Sequence, residues 1–472
     1  MTVNSGGTVV STNDVIVQFA GMGRGKLALN GGNVVIGPAA TKWLMVGYYD
    51  SGGGELDVTN GNLSLENSSS IKMCRSGNTG TNIVNQVGGK ITFYTDAGVT
   101  LGGGGNLDLS YAGGASSASV YNLNGGTLSV PKVISTSTSG TRVFNFNGGT
   151  LKAETAGTSF FAAGVANVAN VRGLGAVIDS TNLNISIGQP LVHSTITGDA
   201  PTDGGLNKVG TGALTLNGTN TYNGRTLVSN GTLALGGTGS IANSGRLIVS
   251  AGALLDVSAV TGGFALGAAQ TLSGNGAVNG AVVVNGTIAP ALSLGTMSTL
   301  TLSNSPVLNG QTIMQIDRNS GSPLSDQIVL PSSSLTYGGN LTVTNVGASL
   351  QAGDTFQLFS APAYGGAFAV TNLPALGSGL AWSNSLSVNG SLSVVATVSL
   401  VATNITFAVT GTAMTLSWPA DHTGWRLQVQ TNDMANGLGT NWIDVAGATT
   451  TNSVGVLMDP NNGSVFYRLV FP

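Results

Sequence analysis

Apolar and small polar residues alternate along most of this chain in short runs, and Gly-containing turns separate the runs. Between residues 208 and 237, three such runs follow one another: 213–216, 226–229 and 232–235. Alternation places Leu214 and Leu216 on one face and Thr215 on the other, the period-2 signature of a half-buried strand. Asn and Gly accept the left-handed backbone of a tight turn at low cost. The same turn–strand phrase recurs earlier, in Leu29-Asn-Gly-Gly-Asn-Val-Val-Ile, Val58-Thr-Asn-Gly-Asn-Leu-Ser-Leu, Leu123-Asn-Gly-Gly-Thr-Leu-Ser-Val and Phe146-Asn-Gly-Gly-Thr-Leu-Lys-Ala. It recurs later in Leu247-Ile-Val-Ser-Ala-Gly-Ala-Leu-Leu-Asp-Val, Thr271-Leu-Ser-Gly-Asn-Gly-Ala-Val and Val282-Val-Val-Asn-Gly-Thr-Ile-Ala-Pro. The spacing scatters around ~20–30 residues at first and settles near ~20, a repeat-architecture period. One unit cannot bury its apolar face alone, whereas stacked units can.

The pattern predicts an all-β chain: a right-handed parallel β-helix, or β-solenoid, followed by a small antiparallel β-sandwich of immunoglobulin or fibronectin-III type. Four segments are expected: irregular coils over 1–201, regular repeats over 202–302, terminal coils and cap over 303–396, and the sandwich over 397–472. At ~20–22 residues per coil the solenoid would hold ~18 coils and measure ~85 Å. Sustained helical periodicity is lacking; residues 162–170 are the one place where a short helical turn is expected. In the last segment, runs at Met414-Thr-Leu-Ser-Trp, Trp425-Arg-Leu-Gln-Val-Gln, Trp442-Ile-Asp-Val-Ala, Ser453-Val-Gly-Val-Leu-Met and Val465-Phe-Tyr-Arg-Leu-Val-Phe read as sandwich strands, with Trp418 or Trp425 as the core aromatic.

Composition sharpens this picture. Gly supplies 73 of 472 residues and charged residues only 7%, yet 41% are hydrophobic, so a folded, turn-dense chain fits better than a disordered one. The net charge of −3 is spread thinly, and no basic stripe exists to neutralise phosphates. No apolar run approaches the length of a membrane helix. The opening Met-Thr-Val-Asn-Ser-Gly-Gly has neither the basic nor the apolar region of a signal peptide. A single cysteine, Cys74, allows no intrachain disulfide.

The run with Lys208, Gly210-Thr-Gly, Leu214-Thr-Leu, Asn220-Thr-Tyr-Asn-Gly, Thr226-Leu-Val and Gly231-Thr-Leu-Ala-Leu closely resembles the autotransporter-associated β-strand repeat of bacterial passenger domains. The resemblance covers about 30 residues well and about 100 loosely. Tyr337 to Val395 resembles the segment that follows such repeats in large secreted proteins. The last segment is similar to the C-terminal module of repeat proteins secreted by Verrucomicrobia and Planctomycetes. The resemblance implies an exported, extracellular or cell-surface bacterial β-solenoid, and it supplies no catalytic residue. Residues 405–472 are too short and too poor in outward-apolar strands for a transmembrane barrel. A sorting, anchoring or polymer-contact role is expected of the sandwich instead.

Candidate chemistry is sparse. Gly21-Met-Gly-Arg-Gly-Lys fails both the Walker and the dinucleotide spacing and reads as a solenoid turn. Gly102-Gly-Gly-Gly-Asn-Leu-Asp and Gly52-Gly-Gly-Glu-Leu-Asp approximate a calcium-binding nonapeptide, but Leu107 and Glu55 break it. Asp199 with Asp203, and Asp317 with Asp326, share or flank loops and read as solvated acids, short of the six to eight oxygens calcium takes. Glu55 and Asp57 project to one side of a strand, a spacing compatible with paired-acid chemistry or with calcium. His193 and His422 lie far apart, and Cys74 beside Arg75 reads as a small buried residue. The Asn-Gly-Thr triplets at Asn217, Asn230 and Asn285 are turn chemistry. Tyr48, Tyr49, Tyr94, Tyr111 and Tyr222 are the candidates for stacking on carbohydrate, with core or coil-edge packing as the competing reading. No catalytic, cofactor-binding or metal-binding residue is assigned. The expectation is a non-catalytic structural solenoid. It would be a fibre subunit polymerising head to tail as a homo-oligomer, or an adhesive stalk, with a cell-surface glycan as the alternative partner. A polysaccharide-active enzyme is the weaker alternative.

Overall fold

The computed structural model describes residues 1–19, 21–49, 51–75, 79–94, 105–318, 323–377, 379–433, 435 and 437–471. The chain divides into two units. The first comprises Met1–Gln315, Asp326–Thr344 and Phe359–Asn372, and the second comprises Ile316–Ser325, Asn345–Leu358 and Leu373–Pro472.

The first unit is a parallel β-solenoid. One face is a single fourteen-stranded sheet that begins at Val15–Val17 and Trp43–Val46 and ends at Phe359–Ser360. A second, larger sheet bends at the Asn-Gly-Gly turns. In the early coils it therefore contributes two strands per coil, as Ala118–Leu123 and Thr127–Val130 do. Pairing is parallel from coil to coil: Leu44 lies beside Val15 and Ile71, and Leu214 beside Ile185 and Leu233. Period 2 then lines each inner column with one kind of side chain. Leu27, Leu56, Val84, Tyr121, Phe144, Ala169 and Leu191 form such a column, all nearly inaccessible to solvent. Within it Tyr121 and Phe144 stack with ring centroids 5.1 Å apart, an arrangement that adds about 0.5–1.5 kcal/mol to area burial.

The coils are fewer and longer than a ~20-residue period predicts. Only the repeat region runs near that period, with Leu233 stacking on Leu214 and Leu255 on Leu233. Earlier coils carry longer arcs, as the step from Ile71 to Leu107 shows. The sheet therefore has fourteen strands rather than ~18 coils, and at ~4.8 Å per strand it is about 62 Å long. Residues 162–170 form a turn that leads into the strand Val168–Val171, not a helical turn. Among the described residues the α-helix is Leu386–Asn389, a single turn closed by Gly390 in the left-handed conformation.

Close approach of coils explains some glycines. Gly205 has φ +73°, and a Cβ there would lie 1.9 Å from the Arg225 carbonyl oxygen of the next coil.

In the second unit, Thr355–Gln357, Ser391–Ala396 and Leu380–Ser385 form an antiparallel sheet. Two further three-stranded antiparallel sheets follow. One joins Thr406–Thr410, Ala413–Ser417 and Ser453–Leu457; the other joins Ile443–Asp444, Arg426–Asn432 and Ser464–Val470. They enclose Leu416, Trp418, Leu427 and Ala448, the core of a small β-sandwich. Trp418 is the core aromatic. Trp425, also buried, packs at the margin against His422 and Phe471.

Candidate functional site

The outer surface of the solenoid is organised by the same register as its interior. On the fourteen-stranded sheet, Leu44, Ile71 and Leu107 point inward, so their neighbours Trp43, Met45 and Lys72 point out. At the adjoining corner the backbone ladder continues beyond the strands. Tyr48 N–H donates to the Gln18 carbonyl, Tyr49 N–H to Phe19, Arg75 N–H to Gly47 and Tyr111 N–H to Met73. Four successive coils thereby bring Phe19, Tyr48, Tyr49, Trp43, Tyr111, Lys72 and Arg75 to one corner.

The cluster is aromatic and cationic together. Lys72 Nζ lies 4.0 Å from the Trp43 ring centroid and 3.4 Å from that of Tyr111. The Arg75 guanidinium sits 4.4 Å over Tyr48 and approaches Met45 Sδ, which is fully covered. Phe19 stacks on Tyr48 at 5.1 Å, and Tyr49 meets Tyr48 edge-on at 4.5 Å. Burial pulls the Lys72 ammonium below its usual range; Asp108 opposes this and Arg75 reinforces it. Asp108 itself is occupied: its carboxylate accepts from the Ser110 and Thr136 N–H groups and from Thr136 Oγ1 at 2.5 Å.

A second outward surface, on the larger sheet, is polar. A groove of about 630 Å³ is lined by Lys90, Thr92, Tyr94, Ser129, Lys152 and Glu154, among others. Ser129 Oγ donates to the Glu154 carboxylate, and burial pushes that carboxyl up. Alongside runs a column of amides. Asn170 donates to Asn145 at 2.8 Å, Asn145 to Asn122 at 2.7 Å, Asn122 to Asn85 at 2.8 Å, and Asn85 to the Asp57 carboxylate at 2.9 Å.

The expected candidates are placed as follows. Glu55 and Asp57 do share one face, but Lys26 bridges them: its Nζ contacts Asp57 closely and lies 2.8 Å from Glu55, with Arg24 at 3.5 Å from Glu55. Those carboxylates raise the Lys26 ammonium well above its usual range. The Gly21 stretch is a turn whose Gly21 and Gly23 carbonyls accept from Gln18 Nε2. Asp199 and Asp203 do not converge on one site. Asp199 takes Arg172 in a two-pronged pair at 2.7 and 2.8 Å plus Ser194, which depresses it to about 2. Asp203 accepts from the N–H groups of Gly205, Asn223 and Gly224 and meets His193 Nδ1 at 2.9 Å. It is not a solvated loop acid. Nor is Asp326, a buried carboxyl that accepts from the Ser298 and Gln315 N–H groups. Of the Gly102–Asp108 run, residues 102–104 lie outside the described residues, and Leu107–Asp108 is a strand. Among the described residues no group of three or more His, Cys, Asp and Glu is placed to hold a metal ion. His422 is buried between Asp421 and the Val401 carbonyl. Cys74 is fully buried and its thiol is pushed up by that burial. Asn217 and Asn285 spend their amides on coil-to-coil bonds, to Ser186 and with Asn309, and the Asn230 side chain closes its own turn at Gly231. Tyr222 is 1% exposed, with its hydroxyl on Thr226, so of the five tyrosines it is core and no stacking surface. Tyr48, Tyr49 and Tyr111 meet at the aromatic corner, while Tyr94 lies in the polar groove.

Three features went unread in the sequence. The amide column has a signal, an Asn between apolar residues at mid-strand, as in Tyr121-Asn-Leu and Phe144-Asn-Phe. Lys208 stands in an inner column between Ile178 and Val228. It is fully buried, and Nζ donates to the carbonyls of Val209, Gly210 and Asn230 at 2.9, 2.8 and 3.1 Å. The pairing of Lys72 and Arg75 with aromatics depends on register between coils and has no local signal.

Parallel coils, an apolar interior and an outer face of hydrogen-bonded ladders and ion pairs define a parallel β-solenoid. Its most regular stretch, residues 206–235, matches the passenger-associated-transport-repeat family. A comparison with curated proteins gives no match. No helix among the described residues is long and apolar enough to cross a membrane.

Proposed function

We propose that this chain is a structural, non-catalytic β-solenoid displayed outside the bacterial cell, as the subunit of a fibre or as an adhesive stalk. The observation that carries the reading is the passenger-type repeat set within an unbroken fourteen-strand stack. Passenger-type repeats imply export. The acids weighed as candidates are engaged in structural contacts: Glu55 and Asp57 with Lys26, Asp199 with Arg172, and Asp203 and Asp326 with backbone N–H groups. The fibre form is supported by the first coil. Among the described residues, Thr2–Asn4, Thr8–Ser11 and Val15–Val17 pair with following coils on one side only, and they contain neither Pro nor charge. Such edges accept further strands, and a head-to-tail contact that does not close gives a filament. Sedimentation velocity over a concentration series, with negative-stain microscopy, tests this. Mass-dependent growth is expected, and a monomer at every concentration rejects the fibre form.

A second reading is favoured by the aromatic corner: direct contact with carbohydrate. Phe19 and Tyr49 leave 57% and 39% of their surfaces open there, and ring faces are the natural platform for the C–H face of a sugar. Loss of glycan-array signal in Tyr49→Ala tests it. We assign the sandwich a sorting, anchoring or polymer-contact role.

A further inference from the structure

We propose that the corner built by Trp43, Tyr48, Tyr49, Lys72, Arg75 and Tyr111 selects an anionic polysaccharide, one bearing carboxylate groups such as a polyuronate. This inference rests on the carbohydrate reading and adds the charge of the ligand.

The argument starts from what the two cations lack. Six basic groups, Arg24, Lys26, Lys152, Arg172, Arg318 and Arg426, lie within ion-pair distance of a carboxylate, and others, such as Arg142, Lys208 and Arg246, are held by backbone carbonyls. Among the described residues Lys72 and Arg75 have no carboxylate at that distance, although both are half-buried. The two carboxylates whose charge acts on Lys72 are committed elsewhere. Asp108 serves Ser110 and Thr136, and Asp14 accepts the Trp43 backbone N–H at 2.9 Å. In place of counter-ions the two cations have rings: Trp43 and Tyr111 around Lys72, and Tyr48 beneath Arg75. Cation–π contact only partly replaces the hydration that the rings displace. A carboxylate arriving from solvent offers both groups the missing partner, and arginine receives it with two parallel N–H donors.

Geometry favours a chain-like ligand over a single small anion. Phe19 and Tyr49 come from successive coils, their centroids 5.9 Å apart. Coils advance by about 4.8 Å, comparable with one sugar ring. A polysaccharide lying along the stack therefore meets rings on the coils of Phe19, Tyr49 and Tyr111, while its acid groups reach Lys72 and Arg75 on the coil between Tyr49 and Tyr111. Two cations without a continuing basic stripe are too few to track a phosphate backbone, which separates this surface from a nucleic-acid site.

The test is calorimetric titration of the full chain with three probes: oligogalacturonate with free carboxylates, its fully methyl-esterified form, and oligothymidylate. The free acid is expected to bind at least about tenfold tighter than the ester and to weaken as salt screens the contact. Arg75→Gln and Lys72→Met should each erase most of that preference. Tyr49→Ala should weaken acid and ester alike. Arg75→Lys, which keeps the charge and loses the fork, should fall between. Circular dichroism and melting temperature report whether each variant is folded, and the wild-type comparison of acid with ester stands independently of any variant. Equal binding of acid and ester, with loss of both in Tyr49→Ala, overturns the charge selection and leaves the carbohydrate reading intact. Binding of neither overturns both. Oligothymidylate binding as tightly as the acid overturns the assignment to a glycan.

Discussion

Lys208 gives the sharpest test of how this solenoid is held together. Its Cβ points into a column otherwise filled by Ile178 and Val228, and its ammonium is fully buried, with no carboxylate at ion-pair distance among the described residues. Burial lowers its pKa from 10.5 to about 8. The sign follows from proton counting. Between those two values the unfolded chain holds a proton that the folded chain has released, so folding becomes more favourable as pH rises through the window. At about 1.4 kcal/mol per pKa unit the full gain is about 3 kcal/mol. Below pH 8 the charged form bears that penalty and is kept in place by its three carbonyl acceptors. Lys208→Met keeps the aliphatic length and deletes the donors. It orphans the Gly210 and Asn230 carbonyls at about 1–3 kcal/mol each, while the Val209 carbonyl keeps the Ser180 N–H, and removal of the buried charge returns about 3 kcal/mol. The net expectation at pH 7 is a loss of about 1 kcal/mol. The gap between wild type and variant should widen further between pH 8 and 10.5, because only the wild type gains there. Hydrogen exchange of peptides spanning residues 206–235, corrected for intrinsic rate at each pH, reads this locally, as is appropriate for a repeat array that opens in parts. A gap that stays constant or narrows with rising pH would refute the reasoning, since it would mean that the carbonyls solvate the ammonium as well as water does.

Other expectations follow from the same contacts. Asp326 is buried and raised to about 6, so the folded chain binds the extra proton between about pH 4 and 6 and stability should fall by up to about 3 kcal/mol as pH rises through that window; Asp326→Asn, whose amide must face one of the two N–H donors, should flatten this dependence and cost about 1–3 kcal/mol in denaturant titrations at pH 5. Asp199, held near 2 by Arg172, behaves oppositely: its stabilisation is present above pH 4 and lost as pH falls toward 2, and Asp199→Asn should remove that acid-limb sensitivity in melting curves. Asn122→Ala interrupts the amide column at its middle and should lower stability by about 1–3 kcal/mol by chemical denaturation, with Asn122→Gln no rescue because the longer arm misses the register. Gly205→Ala puts a methyl into the Arg225 carbonyl at a left-handed backbone position and should cost several kcal/mol or abolish soluble folded protein, read by circular dichroism of the purified chain.

The alternation at 213–216 and 232–235 fixes which residues face inward, so the parallel stack and its core columns were legible from the chain. Coil number was not, because extra residues accumulate in arcs between strands, as between Ile71 and Leu107, without disturbing the columns. The candidate site was half legible. Tyr48, Tyr49 and Tyr111 stood out as aromatics in a chain with few, but Tyr222 looked the same in sequence and points inward. The acids misled for a related reason. Asp203 and Asp326 sit in Gly- and Ser-rich loops that read as solvated, yet the neighbouring coil folds backbone N–H groups over them. What decides between a free and a spent carboxylate here is the residue some twenty to thirty positions away, and local sequence does not contain it.

The amide column on the outer face has a sense as well as a composition. Every link donates toward the amino-terminal coil, from Asn170 down to Asp57, where a group that only accepts closes the series and Lys26 balances its charge. Reversing one amide would set donor against donor on one side and acceptor against acceptor on the other, so the links turn together or not at all. Coils that are interchangeable in their apolar filling are therefore not interchangeable in order. A duplicated coil inserted between Asn85 and Asn170 would inherit the sense and lengthen the column. The coil that carries Asp57 can stand only at its end, and so marks, in a single carboxylate, the point from which this face of the repeat is counted.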